Sequence, residues 1–280
     1  MIASSFPRET LLHVVKTLPA APQILARLGH LLLDADSDLE DITALLRCDA
    51  ALTVRILRIA NSIVYNTGTP FASLEQALAR VGFSEVYRLT GFAAAGQLAD
   101  RHLALYGIGA ARLRENSLLT ALVMEGLAEA TETDPRSAYT AGLLRSTGKI
   151  ALDRLTRDPA YSGSYEGSGG APLAEWETTF TGVSNCEAAA FILGEWRFPN
   201  CTTEAIRHHY LPGTGAPAMA HLLNLAAGGA DRCAHGLPGE MSYWELTPAK
   251  FAAAGVTEEQ LDAATRRALE HFGPLRAALA

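Results

Sequence analysis

The sequence of 280 residues contains only four cysteines, and none is placed to form a familiar cysteine site. Cys48, Cys186, Cys201 and Cys233 are widely separated, with no CxxC pair and no cluster of cysteine and histidine at zinc-binding spacing. This scatter argues against a disulfide-stapled secreted module and against a zinc finger. We expect reduced thiols in a cytosolic protein.

Long apolar runs and an excess of basic residues are also lacking. No apolar run reaches the roughly 18 residues of a membrane-spanning helix, and residues 216–230 are interrupted by His221 and Asn224. The first residues, MIASSFPRETLL, do not read as a signal peptide. Lysine and arginine total 23 against 30 acidic residues, so the net charge is -7. We therefore expect a cytoplasmic protein with no membrane partner and no wholesale affinity for nucleic acid.

Helical periodicity dominates what the sequence does contain. Helices are predicted over residues 7–18, 23–33, 39–47, 51–60, 84–100 and 103–131, among others. Ser73, Ser84 and Asp134 stand at expected N-cap positions, and Gly82 separates two helices. Residues 158–172 have the composition of a surface loop. The sequence predicts an all-α, multi-helical bundle.

The central stretch, residues 138–152 (AYTAGLLRSTGKIAL), is the apolar segment around which the other helices are expected to pack. Tyr139, Leu143 and Ile150 recur at helical spacing, which predicts one buried helix. Arg145 and Ser146 interrupt its apolar pattern. A polar pair inside a buried helix indicates either an internal ion pair or a functional site.

The segment AGLLRSTGK resembles the AGLLHDIGK segment of HD-type metal-dependent phosphohydrolases. In that family the adjacent His and Asp bind a divalent cation, which activates a water against a phosphate ester. Arg145 and Ser146 occupy those two places here. Because arginine stays protonated and offers only hydrogen-bond donors, it would repel a cation. The hydrolytic centre is expected to be dismantled.

A wider resemblance links residues 18–235 to the HDOD family, an HD-related output domain of bacterial signalling proteins. In order, it is carried by LPAAPQILARLGHLL, by DLEDITALLRCDAALTVRILRIANSIVYN and by SLEQALARVGFSEVYRL. Trp196, Pro199 and the paired His208 and His209 follow in the second half. The resemblance implies a helical fold of the HDOD or HD-domain type and a role in bacterial signal transduction.

Three regions are expected on this basis. Residues 1–102 correspond to the N-terminal helical subdomain of an HDOD module, and residues 103–235 to a degenerate HD-like helical subdomain. Residues 236–280 are expected to form a helical extension packed on the core.

The metal-ligand positions carried over by the resemblance read Asn116, Arg145, Ser146, Asn185 and Ala227. None of these residues is a normal strong metal ligand. We therefore expect no enzyme activity, no metal and no cofactor. The alternative hypothesis is a metal-dependent phosphohydrolase or phosphodiesterase with an atypical site around Glu187, His208 and His209.

The polar residues assigned to the remnant of the cleft are Asn116, Arg145, Ser146, Lys149, Asn185, Glu187, His208 and His209. A buried cation among them needs a counter-charge or an anionic ligand. Two interpretations stay open. Either Arg145 pairs with Glu187 or another carboxylate and joins the helices, or Arg145 and Lys149 hold a small anion or nucleotide. Adjacent helical residues point about 100° apart, so the two histidines do not readily face one ion.

Two short motifs in the central stretch do not support a catalytic site. Residues 142–149 resemble a phosphate-binding loop, but the spacing of the glycines is wrong and Ile150 replaces the hydroxyl residue. Ser146 and Lys149 fit the Ser-x-x-Lys pattern, yet its partner motifs SDN and KTG are missing.

A group of arginines in the N-terminal half is a candidate partner surface: Arg55, Arg58, Arg80 and Arg88. Residues 77–89 resemble a helix-turn-helix, but the glycine of the turn is displaced by one position and the chain is acidic. Direct DNA binding is therefore disfavoured. We expect a non-catalytic regulatory module that binds other signalling proteins, such as a sensor, a receiver domain or a transcription regulator.

Overall fold

A computed structural model of the chain describes residues 8–62, 65–66, 68–158, 163–165 and 170–279. Within these residues every regular element is a helix, and the one isolated β-bridge joins Leu103 to Ile108. The all-α prediction is confirmed. None of the described helices is both long enough and apolar enough to cross a membrane.

The N-terminal helices of the described chain are α1 (Arg8–Thr17), α2 (Ala21–Leu31), α3 (Leu39–Arg47), α4 (Ala50–Ala60), α5 (Leu74–Val81) and α6 (Phe83–Leu98). Ser73 caps α5 as predicted, because its hydroxyl accepts a hydrogen bond from the Gln76 backbone. Ser84 does not cap α6, which begins at Phe83. The reason is Gly82, whose φ of +83° ends α5 and leads directly into α6.

The later helices are α7 (Ala110–Ala128), α8 (Pro135–Leu144), α9 (Thr147–Leu155), α10 (Leu173–Thr181), α11 (Asn185–Glu195), α12 (Asn200–His208), α13 (Ala218–Ala230), α14 (Pro248–Ala254) and α15 (Glu258–Leu279). A short π-helical turn, Asp231–His235, extends α13, and a single 3-10 turn spans Met241–Tyr243. Asp134 caps α8 as predicted, accepting the Ser137 backbone N–H at 2.9 Å.

The long helix predicted over residues 103–131 begins later, at Ala110. Before it the chain makes a turn, in which the Leu103 N–H donates to the Ile108 carbonyl at 2.8 Å. The buried Asp153 carboxylate accepts the Leu105 N–H at 3.0 Å. These bonds pair the backbone N–H groups of Leu103 and Leu105, so the turn does not need the hydrogen bonds of a helix.

The central stretch forms two helices, so the prediction of one helix over residues 138–152 is wrong. Helix α8 ends at Leu144 and α9 starts at Thr147, and Ser146 at φ -91° and ψ 7° interrupts the helical backbone between them. The break places a new helix N-terminus directly beside Arg145.

Two glycines bring the central helices unusually close to their neighbours. A Cβ at Gly142 would lie 2.6 Å from the Ala121 Cα on α7. A Cβ at Gly148 would lie 1.8 Å from the Asn185 carbonyl oxygen on α11. Since no real Cβ sits so close, only glycine allows α7, α9 and α11 to converge around the break.

Helix α15 covers α7, with Leu261, Ala264 and Phe272 buried and Ala264 against Gly126. The division of the chain at residues 102 and 235 stays a prediction. The predicted loop over residues 158–172 lies largely outside the described residues, as does residue 7 at the predicted start of α1.

Candidate functional site

Arg145 is the centre of a buried polar cluster at the break between α8 and α9. Its Nη1 and Nη2 donate to the two carboxylate oxygens of Glu240 at 3.1 and 2.9 Å, and Nη2 also donates to Asn116 Oδ1 at 2.6 Å. The guanidinium lies 5.4 Å from the ring centroid of Trp244. The side chains of Arg145 and Glu240 are 1% and 0% exposed. A bidentate pair of this kind is both strong and geometrically specific.

The members of this pair stabilise each other's charge. Burial by itself raises the pKa of Glu240, but the charges of Arg145 and Lys149 and hydrogen bonds from Arg145 and Tyr210 lower it to about 2. Burial by itself lowers the pKa of Arg145, whereas the Glu240 carboxylate raises it above the usual guanidinium value. Burial and Glu240 hold the pKa of Tyr210 well above its usual value, so its hydroxyl keeps a proton to donate to Glu240 Oε1 at 2.7 Å.

Lys149, in the first turn of α9, is the second buried cation. Its Nζ lies 3.3 Å from Glu240 Oε1 and 3.9 Å from Glu177 Oε1, and its side chain is 0% exposed. The rings of Tyr106 and Tyr210 lie 4.9 and 5.7 Å from Nζ. Among the described residues, two carboxylates therefore balance the two cations of the cluster.

Glu177 ties α10 to the first turn of α11. Its Oε2 accepts the Asn185 backbone N–H at 2.7 Å, and its two oxygens accept the Asn185 side-chain amide at 3.1 and 2.8 Å. Tyr106 donates its hydroxyl to Glu177 Oε1 at 2.8 Å. The Asn185 amide also donates to the Tyr210 hydroxyl at 3.1 Å, so Tyr210 connects the Glu177 and Glu240 halves of the cluster.

Asn116, which accepts a hydrogen bond from Arg145, and Ser146, the next residue in the chain, are both buried. Asn116 is 1% exposed, and its amide donates to the His235 carbonyl at 2.8 Å while its Oδ1 faces Arg145. Ser146 is 2% exposed, and its hydroxyl has no hydrogen-bond partner among the described residues. Both side chains therefore lie within the protein interior and not on an open cleft.

His209 is a buried neutral histidine beside the cluster. Its Nδ1 donates to the Ile206 carbonyl at 2.7 Å, and its ring stacks 5.9 Å from Trp244. Burial and the nearby Arg145 charge lower the pKa of His209 to about 3. The imidazole therefore carries no charge at neutral pH, and Nε2 is left as a buried acceptor with no described partner.

Two predicted cluster residues face solvent, and their assignment to the cleft is wrong. Glu187 is exposed, and its carboxylate forms a capping box with Ser184 at the start of α11. His208 has a side-chain exposure of 45% and pairs with Glu204 at 3.4 Å, one helical turn away. The 100° rotation between neighbouring helical residues separates His208 from His209.

Neither carboxylate of the cluster was predicted from the sequence. Glu177 lies in a short helix without a motif, and Glu240 lies in the region expected to be a helical cover. The available signal was charge balance, because Arg145 and Lys149 were predicted to be buried together with one carboxylate, Glu187. The structure supports pairing of Arg145 with another carboxylate.

The side chains at this place do not fit a divalent cation. Asn116 already accepts from Arg145, Asn185 donates to Glu177, and Ala227 is a buried methyl group. No group of three His, Cys, Asp or Glu side chains within the described part of the chain could hold a metal ion. A cation here would meet two buried positive charges.

The predicted arginine surface is smaller than expected. Arg88 is half-buried and bonds to Glu85 at 2.6 Å and to Glu125 at 3.0 Å. Its charge is therefore paired with two carboxylates of the protein, and its assignment to a partner surface stays a prediction. Arg55 is half-buried, with Nη1 packed closely over Gly96.

Arg58 and Arg80 remain fully on the surface, on the adjoining helices α4 and α5. Neither makes an ion pair with any described residue. Two apolar side chains on α4 and α6 are also exposed, Val54 at 64% and Phe83 at 47%. Val54 lies one helical turn before Arg58 on α4, and Phe83, at the start of α6, follows Arg80 by three residues. We call these four exposed residues the α4–α5 surface, after the helices that carry the two arginines.

The family model of the HDOD domain matches residues 18–212, well over half of the chain. The chain belongs to the HDOD domain family. The match contains the two buried cations and Glu177, whereas Glu240 lies beyond it. An uncharacterized protein of Treponema pallidum (strain Nichols) is 24% identical over 271 residues. The match covers 91% of this chain, which spans only 50% of the length of that relative.

Three solved structures share the fold of this HDOD chain. A protein from Shewanella amazonensis SB2B, designated provisionally as a phosphohydrolase, has a TM-score of 0.70 and 23% identity, covering 97% of this chain and 98% of the other. An HDOD domain protein of unknown function from Geobacter sulfurreducens has a TM-score of 0.67 and 20% identity, covering 97% of each chain. A provisionally designated signal transduction protein from Marinobacter aquaeolei VT8 has a TM-score of 0.68 and 18% identity, covering 97% and 64%.

Proposed function

We propose that this HDOD chain is a non-catalytic signal-transduction module that regulates by binding another protein. The observation that carries the proposal is the buried pair of Arg145 and Glu240, whose Nη2 and Oε2 are 2.9 Å apart. An HD centre needs imidazole and carboxylate ligands at this point, and here a guanidinium occupies it with its own counter-ion. Hydrolysis through a bound cation would require removing or neutralising two buried positive charges.

The α4–α5 surface is the proposed partner site. Its two arginines are exposed and make no described ion pair, in a chain whose net charge is -7. Exposed arginine beside exposed apolar side chains is typical of protein interfaces. The partner proposed is therefore a signalling protein with an acidic face: a sensor, a receiver domain or a transcription regulator. Two arginines supply few phosphate contacts, which disfavours DNA.

Metal analysis of the purified protein, combined with assays on cyclic dinucleotides and nucleoside phosphates, tests the absence of catalysis. We expect neither stoichiometric metal nor turnover. The alternative hypothesis, a hydrolase built around Glu187, His208 and His209, has less support because two of these side chains face solvent. It would prevail if stoichiometric metal accompanied a turnover that is lost in His208→Ala.

Charge reversal tests the partner site. Cross-linked complexes from the native host would be compared for the wild type, for Arg58→Glu with Arg80→Glu, and for the control Arg207→Glu on the distant helix α12. We expect the double reversal to reduce capture of a protein partner at least about tenfold and the control to retain it. Equal capture by all three proteins would refute the assignment of this surface.

A further inference from the structure

Four buried polar atoms on residues 145–149, around the helix break, make no hydrogen bond to a described residue. They are Arg145 Nε, Ser146 Oγ, Thr147 Oγ1 and Lys149 Nζ, and the last of these has ion-pair contacts with Glu240 and Glu177 but no well-directed hydrogen bond. Each side chain belongs to a residue that is no more than 2% exposed. Leaving a buried donor unsatisfied is costly, so a cluster of four such atoms indicates a place built for more acceptors than Glu240 supplies.

The same place is the N-terminus of α9. Ser146 is the N-cap residue, yet its side chain makes no capping hydrogen bond. The first backbone N–H groups of a helix have no partner within the helix, and its dipole favours a negative charge there. The unpartnered side chains and the helix start therefore favour the same kind of ligand, an oxyanion.

The Glu240 carboxylate reaches this place from a short segment between the α-helices, in which residues 236, 237, 240, 243 and 244 are buried and the others are exposed or half-buried. Residues 236–244, which we call the strap, connect the π-helical turn to the region before α14. Pro238, Met241 and Ser242 of the strap are exposed, and Met241 is 75% exposed. Gly239, at φ +80°, directly precedes Glu240. A rotation here would move Glu240 outward without unfolding an α-helix, although it would break the backbone hydrogen bonds that Glu240 makes with Leu237 and Tyr243.

Aromatic residues hold the far end of the strap. Tyr243 stacks on Tyr210 with ring centroids 4.3 Å apart, and Trp244 lies against the Arg145 guanidinium. Asn224 donates to the Tyr243 carbonyl at 3.2 Å. These anchors allow the Glu240 side chain to leave while residues 243 and 244 stay in place.

Departure of Glu240 would leave the cluster with Arg145 and Lys149 against Glu177 alone, which is one net positive charge. We propose that a phosphoryl group, as the free ion or at the end of a nucleotide, exchanges with the Glu240 carboxylate at this site. A carboxylate offers two oxygens, whereas a phosphoryl group offers three to the guanidinium, the ammonium and the Ser146 hydroxyl. Binding of the phosphoryl group then frees Glu240 and the strap from the cluster, and this movement of the strap is the proposed signal.

This exchange deepens the proposed function, because it rests on a cluster that binds and does not hydrolyse. The anion binds inside the helical core, whereas the protein partner binds at the α4–α5 surface. Failure of one does not imply failure of the other, since anion titration reports only on the strap and capture of a partner only on the surface.

The wild-type site can be followed through Trp244. With Trp176→Phe and Trp196→Phe, Trp244 is the remaining tryptophan of the chain's three. We expect its fluorescence to change saturably with inorganic phosphate or adenosine monophosphate, but not with chloride at equal ionic strength. Amide exchange at residues 237–242 should accelerate on binding. A response to the monophosphate alone assigns the nucleotide as ligand, and equal responses assign the free ion.

Substitutions locate the response. Glu240→Gln should bind the same anion about tenfold more tightly, because the competing carboxylate is gone. Lys149→Met should abolish anion binding, and the milder Ser146→Ala should weaken it. The control is Lys16→Met on the exposed face of α1, which should leave anion binding unchanged. The proposal fails if neither the Trp244 protein nor folded Glu240→Gln responds saturably. It also fails if Lys149→Met and Ser146→Ala fold and bind like the wild type.

Discussion

Arg145 and Glu240 form a bidentate ion pair inside the protein although 95 residues separate them in the chain. The pair joins the break between α8 and α9 to the strap that follows α13. A buried pair is not by itself a large net source of stability, because both charges lose their hydration. Its main consequence is specificity, since either partner left alone would be an uncompensated buried charge.

Arg145→Met should destabilise the protein by about 3 to 5 kcal/mol at neutral pH, because Glu240 then stays buried without its main partner. Glu240→Gln should cost at least as much, because the neutral amide leaves the buried charges of Arg145 and Lys149 against Glu177 alone. Urea unfolding monitored by far-UV circular dichroism measures both. The double variant should lose at least about 1 kcal/mol less unfolding free energy than the sum of the losses in the two single variants. Strict additivity would contradict the contact.

Acid should destabilise the protein in two steps that His209 and Glu240 explain. The unfolded His209 takes up a proton below its ordinary pKa of 6.5, while in the folded protein the pKa is about 3. Stability contributed by the neutral imidazole is therefore present above pH 6.5 and is lost as the pH falls toward 3. Glu240, with an ordinary pKa of 4.5 lowered to about 2, adds a loss in the same direction below pH 4.5.

His209→Phe isolates the upper step. Between pH 6.5 and 4.5 the wild type should lose up to about 1.4 kcal/mol per pH unit more than the variant, which is the limit for one proton. The control is His208→Gln, an exposed neighbour, which should keep the wild-type slope. His235, whose pKa is also lowered by burial, is present in every protein compared. Equal slopes in His209→Phe and the wild type would show that His209 is not held neutral.

Gly148→Ala should prevent stable folding, because the added Cβ would lie 1.8 Å from the Asn185 carbonyl oxygen. Backbone atoms on both sides leave no flexible side chain to move aside. Gly194→Ala on α11 is the matched control, since a Cβ there meets nothing within 4 Å. The control should stabilise the protein by about 0.5 to 1 kcal/mol through helix propensity. Soluble, cooperatively unfolding Gly148→Ala protein would contradict this packing.

Local patterns accounted for most of the helices. Apolar spacing and caps such as Ser73 and Asp134 are properties of neighbouring residues, so the sequence displays them directly. The errors arose where tertiary contacts override local preference. Residues 103–109 look helical but bond to Asp153 and to each other, and the central helix breaks at Arg145, whose partner lies far away in the chain.

The candidate site was predicted only in part for the same reason. Asn116, Arg145, Lys149 and Asn185 came from their order along the chain, and the structure places all four in the buried cluster. Charge balance indicated that the two cations need buried carboxylate partners, but it could not identify Glu177 and Glu240, which stand in segments whose sequence carries no sign of burial. Glu187 was chosen in error. Its capping box with Ser184 involves only neighbouring residues, whereas its position relative to Arg145 depends on the tertiary structure.

We propose that the guanidinium of Arg145 and the carboxylate of Glu240 occupy the place where an HD centre holds a cation. A crystal structure from protein equilibrated with excess Mn²⁺, with anomalous data at the manganese edge, tests this most directly. We predict unbroken contact between Arg145 and Glu240 and no anomalous peak among Asn116, Arg145, Asn185 and Glu240. A peak there at ordinary metal-to-ligand distances from protein side chains would contradict the account.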